Sequence, residues 1–458
     1  MLIKIKILAI VCLLSCSCNT NKWHLEKFNK SYESGSFVEA EKFALTKADL
    51  EKQEGANLMW CLQAAKCAHD LAKFEESNKL FDQAELILKD SQLSNEGLDV
   101  GRQGLAVVYN DNALPYKESY YGGILINTYK AINFIFLEDW ANARIELHRA
   151  VERQRLAVDA FEDEVLERQE ELDELENKYS EEGLNMSEVL HDSDWQAKVR
   201  KQYPELDRWE IFSDFTNPYT SFLHGLFFYL RADATSDYNY SIESFKRLAG
   251  MFPNNRLIAS LLDDASRGRK AKKSVWLVYE NGLASTKDEY RIDIPLALFT
   301  SKLFYTGIAL PKLKKRPSAP SELLINNDVR TVKLTDMDKV IQTEFKKTYK
   351  WVVTRAIASM VAKTVAQYVA ERNQQRELAL LMTAYQALTT TADVRSWTSL
   401  PKSFHIARVD YPSNGVVKIS DGQSAPITVV LPQGEQILLQ LRKVSPGATM
   451  QFQTVRLK

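Results

Sequence analysis

Strong charge of either sign is missing from this chain. Fifty-nine basic against 60 acidic residues leave a formal net charge of -1 over 458 residues, too balanced for the basic field of a nucleic-acid binder or for long-range steering of a charged partner. Histidine is sparse: His24, His69, His148, His191, His224 and His405 are scattered, and no pair has the i, i+4 or His-Glu-x-x-His spacing of a zinc site. Of five cysteines, only Cys61 and Cys67 lie deep in the chain. Six residues apart on one predicted helix, they are separated by a rise of about 9 Å, beyond disulfide reach, and read as unpaired core thiols. There is no Gly-rich phosphate loop, no Gly-x-Ser-x-Gly elbow and no Cys-x-x-Cys pair. His191-Asp192-Ser193-Asp194 has residue types used in acid-base work, but as sequence neighbours on a predicted loop. These absences leave no catalytic, cofactor-binding or metal-ligating residue to nominate, and the expectation is a protein that is not an enzyme and carries no cofactor.

What is present begins at the N-terminus. Met1 to Cys18 runs from Lys4 and Lys6 through an apolar stretch, Ile7 to Leu14, to small residues and cysteines. That is the layout of an export signal, and the apolar stretch is too short to span a bilayer. Leu13-Leu14-Ser15-Cys16 resembles the lipobox of bacterial lipoproteins, which implies cleavage before Cys16 and acylation of its thiol. Cys18 is the shifted alternative, without a leucine three residues before the cut, and a plain cleaved signal is the bland one. Acyl chains contribute about 0.8 kcal/mol per buried methylene, so such a tether anchors without inserting the polypeptide. Ser17, where the family uses Asp as a retention signal, implies the periplasmic side of the outer membrane if the host is Gram-negative. Loss of residues 1–15 removes Lys4 and Lys6 and leaves 57 basic against 60 acidic residues, a charge of -3.

Residues 23–266 have few prolines, almost no strand signal, and small and bulky residues recurring at helical spacing. The triplets are Ser77, Phe81, Ala84 and Ala143, Leu147, Ala150, with weaker copies at Ala40, Ala44, Lys47 and Ser241, Phe245, Leu248, the last followed by Pro253. Trp60 and Ala64, and Ala131 and Phe134, supply partners on the preceding helices. Gly35-Ser36-Phe37 and Leu137-Glu138-Asp139-Trp140 read as tight interhelical turns. The pattern resembles the tetratricopeptide repeat, which implies an all-α array of stacked helix pairs, here irregular; a generic helical bundle is the plain alternative. A charged insertion near 153–195 interrupts it. From Asp159 to Glu182 it has twelve acidic residues against Arg168 and Lys178, with Val158, Phe161, Val165, Leu172, Leu175 and Tyr179 at heptad-like spacing, predicting a protruding helix or helical hairpin.

A basic linker, 267–274, ends this half. An α+β domain over 275–458 is predicted beyond it, with strands at Val275 to Tyr279, Tyr290 to Ile294 and Val329 to Leu334, and a Pro-rich basic loop at Leu310 to Pro320. A helical segment near 336–391 carries Ala358, Ala362, Ala366 and Ala370 on one stripe. Arg355 and Lys363 favour burial against protein over a membrane span, because a charge at mid-bilayer costs a few kcal/mol. Five strands follow, at Phe404 to Val409, Val416 to Ile419, Ile427 to Leu431, Ile437 to Leu441 and Gln451 to Leu457. Asn414-Gly415 suits a hairpin, and a small antiparallel sheet or sandwich is the expected product.

Asp393, Arg395 and Trp397 mark the passage from helix to strand and read as a structural hand-over or an interaction signature. Together with Glu280-Asn281-Gly282-Leu283, Lys287 to Arg291 and Ile294-Pro295, they resemble an uncharacterised family of bacterial lipoproteins with tetratricopeptide-like repeats. That family is associated with outer-membrane lipoproteins that activate penicillin-binding proteins, which implies a cell-envelope role. The expectation is therefore a non-enzymatic interaction scaffold, held to the membrane by its acyl chains, with envelope proteins as partners and no nucleic acid. Alternatives are a peptidoglycan-acting enzyme with its site in the C-terminal region, or a structural subunit of an outer-membrane or secretion assembly.

Overall fold

The computed structural model describes residues 22–50, 57–89, 116–181, 201, 217–294, 306–372 and 376–458. The N-terminal part is helical: α1 (22–33), α2 (Phe37–Ala48), α3 (Leu58–Asp70), α4 (74–89), α5 (Tyr120–Phe136), α6 (Trp140–Glu181), α7 (Pro218–Leu230), α8 (Thr235–Met251) and α9 (Arg256–Ser266). Asn57, Ser119, Asn217 and Asn255 each cap a helix by accepting a backbone N–H of its first turn. Consecutive helices form hairpins closed by one recurring turn. Gly35, Ala72 and Glu138 take positive φ (82°, 58° and 55°), and the next residue donates its N–H back to Ser31 O, Ala68 O and Phe134 O, respectively. This six-to-one closure satisfies helix-end carbonyls and reverses the chain in three residues.

Helix packing follows the small-residue triplets. Ser77, Phe81 and Ala84, Ala143, Leu147 and Ala150, and Ser241, Phe245 and Leu248 are all fully buried, and the Ser77 hydroxyl donates to Ala65 O across its hairpin at 2.8 Å. In α2 the buried set is Ala40, Ala44 and Ala48, which corrects the expected Lys47. Four-residue spacing keeps to the inner face, whereas Lys47 turns out and lies over the Phe43 ring at 5.8 Å.

The C-terminal part comprises β1 (Ser274–Asn281), β2 (Thr286–Ile294), β3 (Thr306–Lys314), β4 (Leu324–Ile325), β5 (Val329–Arg330), β6 (Val332–Asp336), α10 (Met337–Arg372), α11 (Arg376–Thr389), β7 (Ser403–Asp410), β8 (Val416–Ser420), β9 (Ile427–Val430), β10 (Gln436–Lys443) and β11 (Gln451–Arg456). They form a five-stranded sheet in the order β11-β10-β1-β7-β6, a four-stranded sheet β5-β4-β8-β9, and the ribbon β2-β3. β1 explains the layering. Val275, Leu277 and Tyr279 alternate onto one face, where they meet Val417, Ile419 and Val429 of the four-stranded sheet. Trp276 and Val278 point the other way, into a core shared with the helices. A strand buried on both faces reads as a continuous apolar run, as Ser274–Asn281 largely does. The helical and sheet parts thus close around one core, and residues 267–273 are pinned between them: the Gln436 amide donates to Ala271 O and Lys272 O, and Lys273 lies over Tyr411 at 4.0 Å.

Three expectations change. The large sheet is mixed, because β1 and β10 pair in parallel, their connection being the long excursion that holds every intervening strand and helix. Asn414-Gly415 does turn, with Gly415 at φ 67°, but the strands it joins are not a hairpin. Both edges of β7 are already taken by β1 and β6, so β8 pairs in the other sheet with β4 and β9. The start of the expected Pro-rich loop is strand: β3 runs to Lys314 and places Pro311 opposite Glu289, tolerated because a two-stranded ribbon consists of edges. Of the helix or hairpin expected of the acidic stretch, the described residues form a helix, which continues α6 without a break to Glu181. Val158 and Phe161 pack there on Tyr120 and Ile124, while the side chains of Val165, Leu172, Leu175 and Tyr179 lie outside the described residues.

Cys61 and Cys67 are free and buried, with burial pushing the Cys61 thiol up to about 12. Only the thiolate is nucleophilic. Peptide mapping after maleimide treatment at neutral pH should therefore find both unlabelled in the native protein and labelled after denaturation. Native labelling at the rate of a free thiol would contradict this burial.

Candidate functional site

The passage from α11 to β7 is fixed before it reaches any cavity. Arg291 of β2 donates to Ala387 O and Thr390 O at 2.6 and 2.9 Å, closing the C-terminal carbonyls of α11 with a cation. Glu289 accepts the Ala392 N–H at 2.7 Å. Farther on, Gln63 of α3 donates to Ser396 O and Thr398 Oγ1 and accepts the Ser399 N–H. Residues 390–399 are thereby pinned from a strand on one side and a helix on the other.

This segment forms one wall of a cavity of about 320 Å³. The remaining walls are residues 116–121 leading into α5, Lys287 with the β3 residues Gly307 to Ala309, and the α10 face from Glu344 to Lys363. Asp393 and Arg395 meet here. The Arg395 guanidinium donates Nε and Nη2 to the two Asp393 oxygens at 2.9 and 2.8 Å, and the Arg395 N–H adds a third bond. Burial alone pushes the Asp393 carboxyl up, but the bonds and charge of Arg395 outweigh it and hold it below the usual carboxylate range. From the segment leading into α5, Glu118 accepts from Tyr116 Oη at 2.9 Å and from Ser119 N and Oγ at 2.9 and 2.6 Å. Burial nonetheless raises its carboxyl, against those bonds and the nearby Lys287 ammonium. The lining therefore combines the carboxyls of Asp393 and Glu118, both engaged by fixed donors, and that of Glu344 with the cations Lys117, Lys287, Arg355, Lys363 and Arg395 and the rings of Tyr116, Tyr120, Tyr121 and Trp351. Preset polar groups on an apolar and aromatic wall are what a ligand site requires.

Trp397 departs from its two neighbours. It is buried in the shared core, edge-on to Phe81 at 5.8 Å and tilted to Tyr129 at 6.1 Å, with its indole N–H on Ser399 Oγ at 2.9 Å. Close by runs a seam of buried charge. Glu280, Gln440 and Arg442 continue the helix-facing rows of β1 and β10 and meet Lys66, His69 and Asp70 of α3. The Lys66 ammonium is bonded to Asp70 and lies 3.2 Å from Glu280. Glu280 also accepts from Gln440 at 2.8 Å and Tyr129 at 3.3 Å, and Arg442 Nε stands 3.8 Å away. His69 joins through Gln440 at 3.0 Å and Asn133 at 2.6 Å. Two cations and two anions balance out of reach of water, a structural arrangement and not a binding one.

Packing brings together two histidines that the sequence keeps apart. His224 Nε2 of α7 faces His148 Nδ1 of α6 at 3.4 Å, and its Nδ1 meets Ser244 Oγ at 2.8 Å. Burial, then the facing His148, lowers His224 to about 3; burial likewise lowers His405 to about 4. Unfolded histidine titrates near 6.5, so below that pH the unfolded chain binds protons the native one refuses. Their contribution is whole above about pH 6.5 and is lost as pH falls toward those two values, about 2 kcal/mol each by pH 5. Denaturant unfolding at neutral and mildly acid pH should show at least that loss, to which His69, likewise lowered by burial, adds, and His224→Gln should lessen it by the share of that one ring. A stability independent of pH across this window would contradict the burial of both rings.

Among the described residues, no group of three or more His, Cys, Asp or Glu side chains is placed to hold a metal ion, and no helix is long and apolar enough to cross a membrane. α10 instead packs through Phe345 and Ile357 on Ile308 and Leu310 of β3, with Lys363 buried; the side chains of Ala358, Ala362, Ala366 and Ala370 lie outside the described residues. Cys16 and the His191 to Asp194 run lie outside them as well. Sequence reasoning missed Glu118 and the pairing of Lys66 with Glu280, and named Lys287 and Glu280 only within the motifs of the family resemblance. The one local signal was Lys66 and Asp70 at i, i+4 inside an apolar helix, where charges without partners are costly. Comparison of the chain with known protein families, curated proteins and solved structures finds no match.

Proposed function

We propose that this chain is a lipid-anchored lipoprotein of the bacterial outer membrane, facing the periplasm and acting as a non-enzymatic adaptor. Its helix hairpins form a tetratricopeptide-like platform, and an envelope partner engages the cavity walled by Asp393 and Arg395. The observation that carries this reading is the cavity itself. Asp393, Arg395 and Glu118 are oriented by bonds formed within the fold, so a partner meets charged groups that need not be reordered, which lowers the cost of binding. The Leu13-Leu14-Ser15-Cys16 sequence supports the anchor, and the recurring hairpin turns with their buried triplets support the repeat.

A photo-crosslinking residue at Lys287, half-buried in the cavity's lining, tests the assignment in cells. The expected result is a discrete adduct with an envelope protein, lost when Arg395→Ala removes the bidentate partner of Asp393. Adducts of unchanged pattern and yield in Arg395→Ala, or purified protein that turns over an envelope substrate, would overturn it.

A further inference from the structure

The first helix hairpin has two unlike ends. Its turn end is covered by the sheet part: Ser445 Oγ donates to Glu33 O at 2.9 Å, Arg316 reaches Glu33 at 3.4 Å, and Gly35 lies so close to Ala448 that a Cβ on it would stand 3.7 Å from the Ala448 methyl. At the open end, α1 begins and α2 finishes side by side. Lys27 from α1 and Lys47 from α2 lie over the same Phe43 ring, at 5.1 and 5.8 Å. Two large apolar side chains are bare at this end, Trp23 at 56% and Leu50 at 41% exposure. Lys22 is half-buried and tied to Asp288 of β2 at 3.4 Å.

We infer that this open end rests on the membrane, with the Trp23 indole and Leu50 entering the headgroup layer and Lys27 and Lys47 beside them. The inference rests on acylation of Cys16. Lys22 lies six positions after Cys16, and at about 3.6 Å per residue the tether spans at most about 22 Å. The open end is the one from which the tether leaves, so it cannot turn far from the bilayer. Tryptophan is the residue best suited there, with an apolar body and one N–H for the wet boundary, and lysine stems lie along apolar surface while their ammonium groups reach phosphates. Glu26 and Asp49 at the same end keep it from being strongly basic, so apolar contact, not charge, holds the surface down.

The test uses the full chain purified with its acyl chains and reconstituted into phosphatidylethanolamine–phosphatidylglycerol vesicles containing brominated lipid. Trp23 is one of eight tryptophans, and the exposed Trp23→Phe leaves the core untouched. The expected result is bromine quenching of wild-type emission that Trp23→Phe largely abolishes, with little change on raising salt. Equal quenching in both, in protein whose intact mass shows the acyl chains, would overturn this docking while leaving the anchor in place. An intact mass without acyl chains would instead remove the anchor, and the docking with it.

Discussion

Lys66→Met should lower the unfolding free energy by about 3–5 kcal/mol, because it removes the ammonium bonded to Asp70 and 3.2 Å from Glu280 and leaves both carboxylates buried. All four charges are sealed: Lys66 and Glu280 have no exposed surface, and Asp70 and Arg442 are buried. Coulombic attraction at such a site does little more than repay desolvation, so the intact seam adds little over an apolar core, but a half-removed one is expensive. Lys66→Met combined with Glu280→Gln restores neutrality with Asp70 and Arg442. The double variant should recover about 1–3 kcal/mol relative to the sum of the single losses, the coupling expected of groups in direct contact. Chemical denaturation of the three variants checks this, and strictly additive losses would show that the seam is not one unit.

Trp397→Ala should cost about 3–5 kcal/mol, the usual penalty for emptying the site of a buried indole. The consequence reaches past its size. Trp397 comes from the C-terminal part, and its ring neighbours Phe81 and Tyr129 come from the helical part. If the two parts share one core, far-ultraviolet and tyrosine-region signals should fall together at one lowered denaturant midpoint. Two separated transitions, with only the sheet part shifted, would mean that each part folds on its own. Trp397→Phe keeps most of the volume and should lose less than half as much.

Much of the fold was legible because it rests on local patterns. The small-large-small spacing of Ser77, Phe81 and Ala84 states which helix face is inward, and the short apolar runs Val275 to Tyr279 and Ile437 to Leu441 mark strand. Partner choice was not legible. Nothing local says that β1 pairs in parallel with β10, more than 150 residues away, or that β7 and β8 part company after Asn414-Gly415. The same holds for the candidate site. Asp393 and Arg395 announce themselves as neighbours with opposite charge, whereas Glu118 and Lys287 enter the cavity only through packing of α5 and β2 against it. Trp397 shows the limit from the other side: one residue beyond the cavity wall, it serves the core. His148 and His224, 76 positions apart, are brought together by helix packing that no spacing rule encodes.

The placement of the protein hangs on the thiol of Cys16, and intact mass together with labelled-palmitate incorporation examines it directly in wild type and Cys16→Ala. The predicted result is a chain beginning at Cys16, heavier by its lipid and labelled by palmitate, with label lost and the first fifteen residues kept in Cys16→Ala. An unlabelled chain that retains Met1, recovered from the cytosol, would contradict the anchor, the periplasmic setting and the adaptor role together.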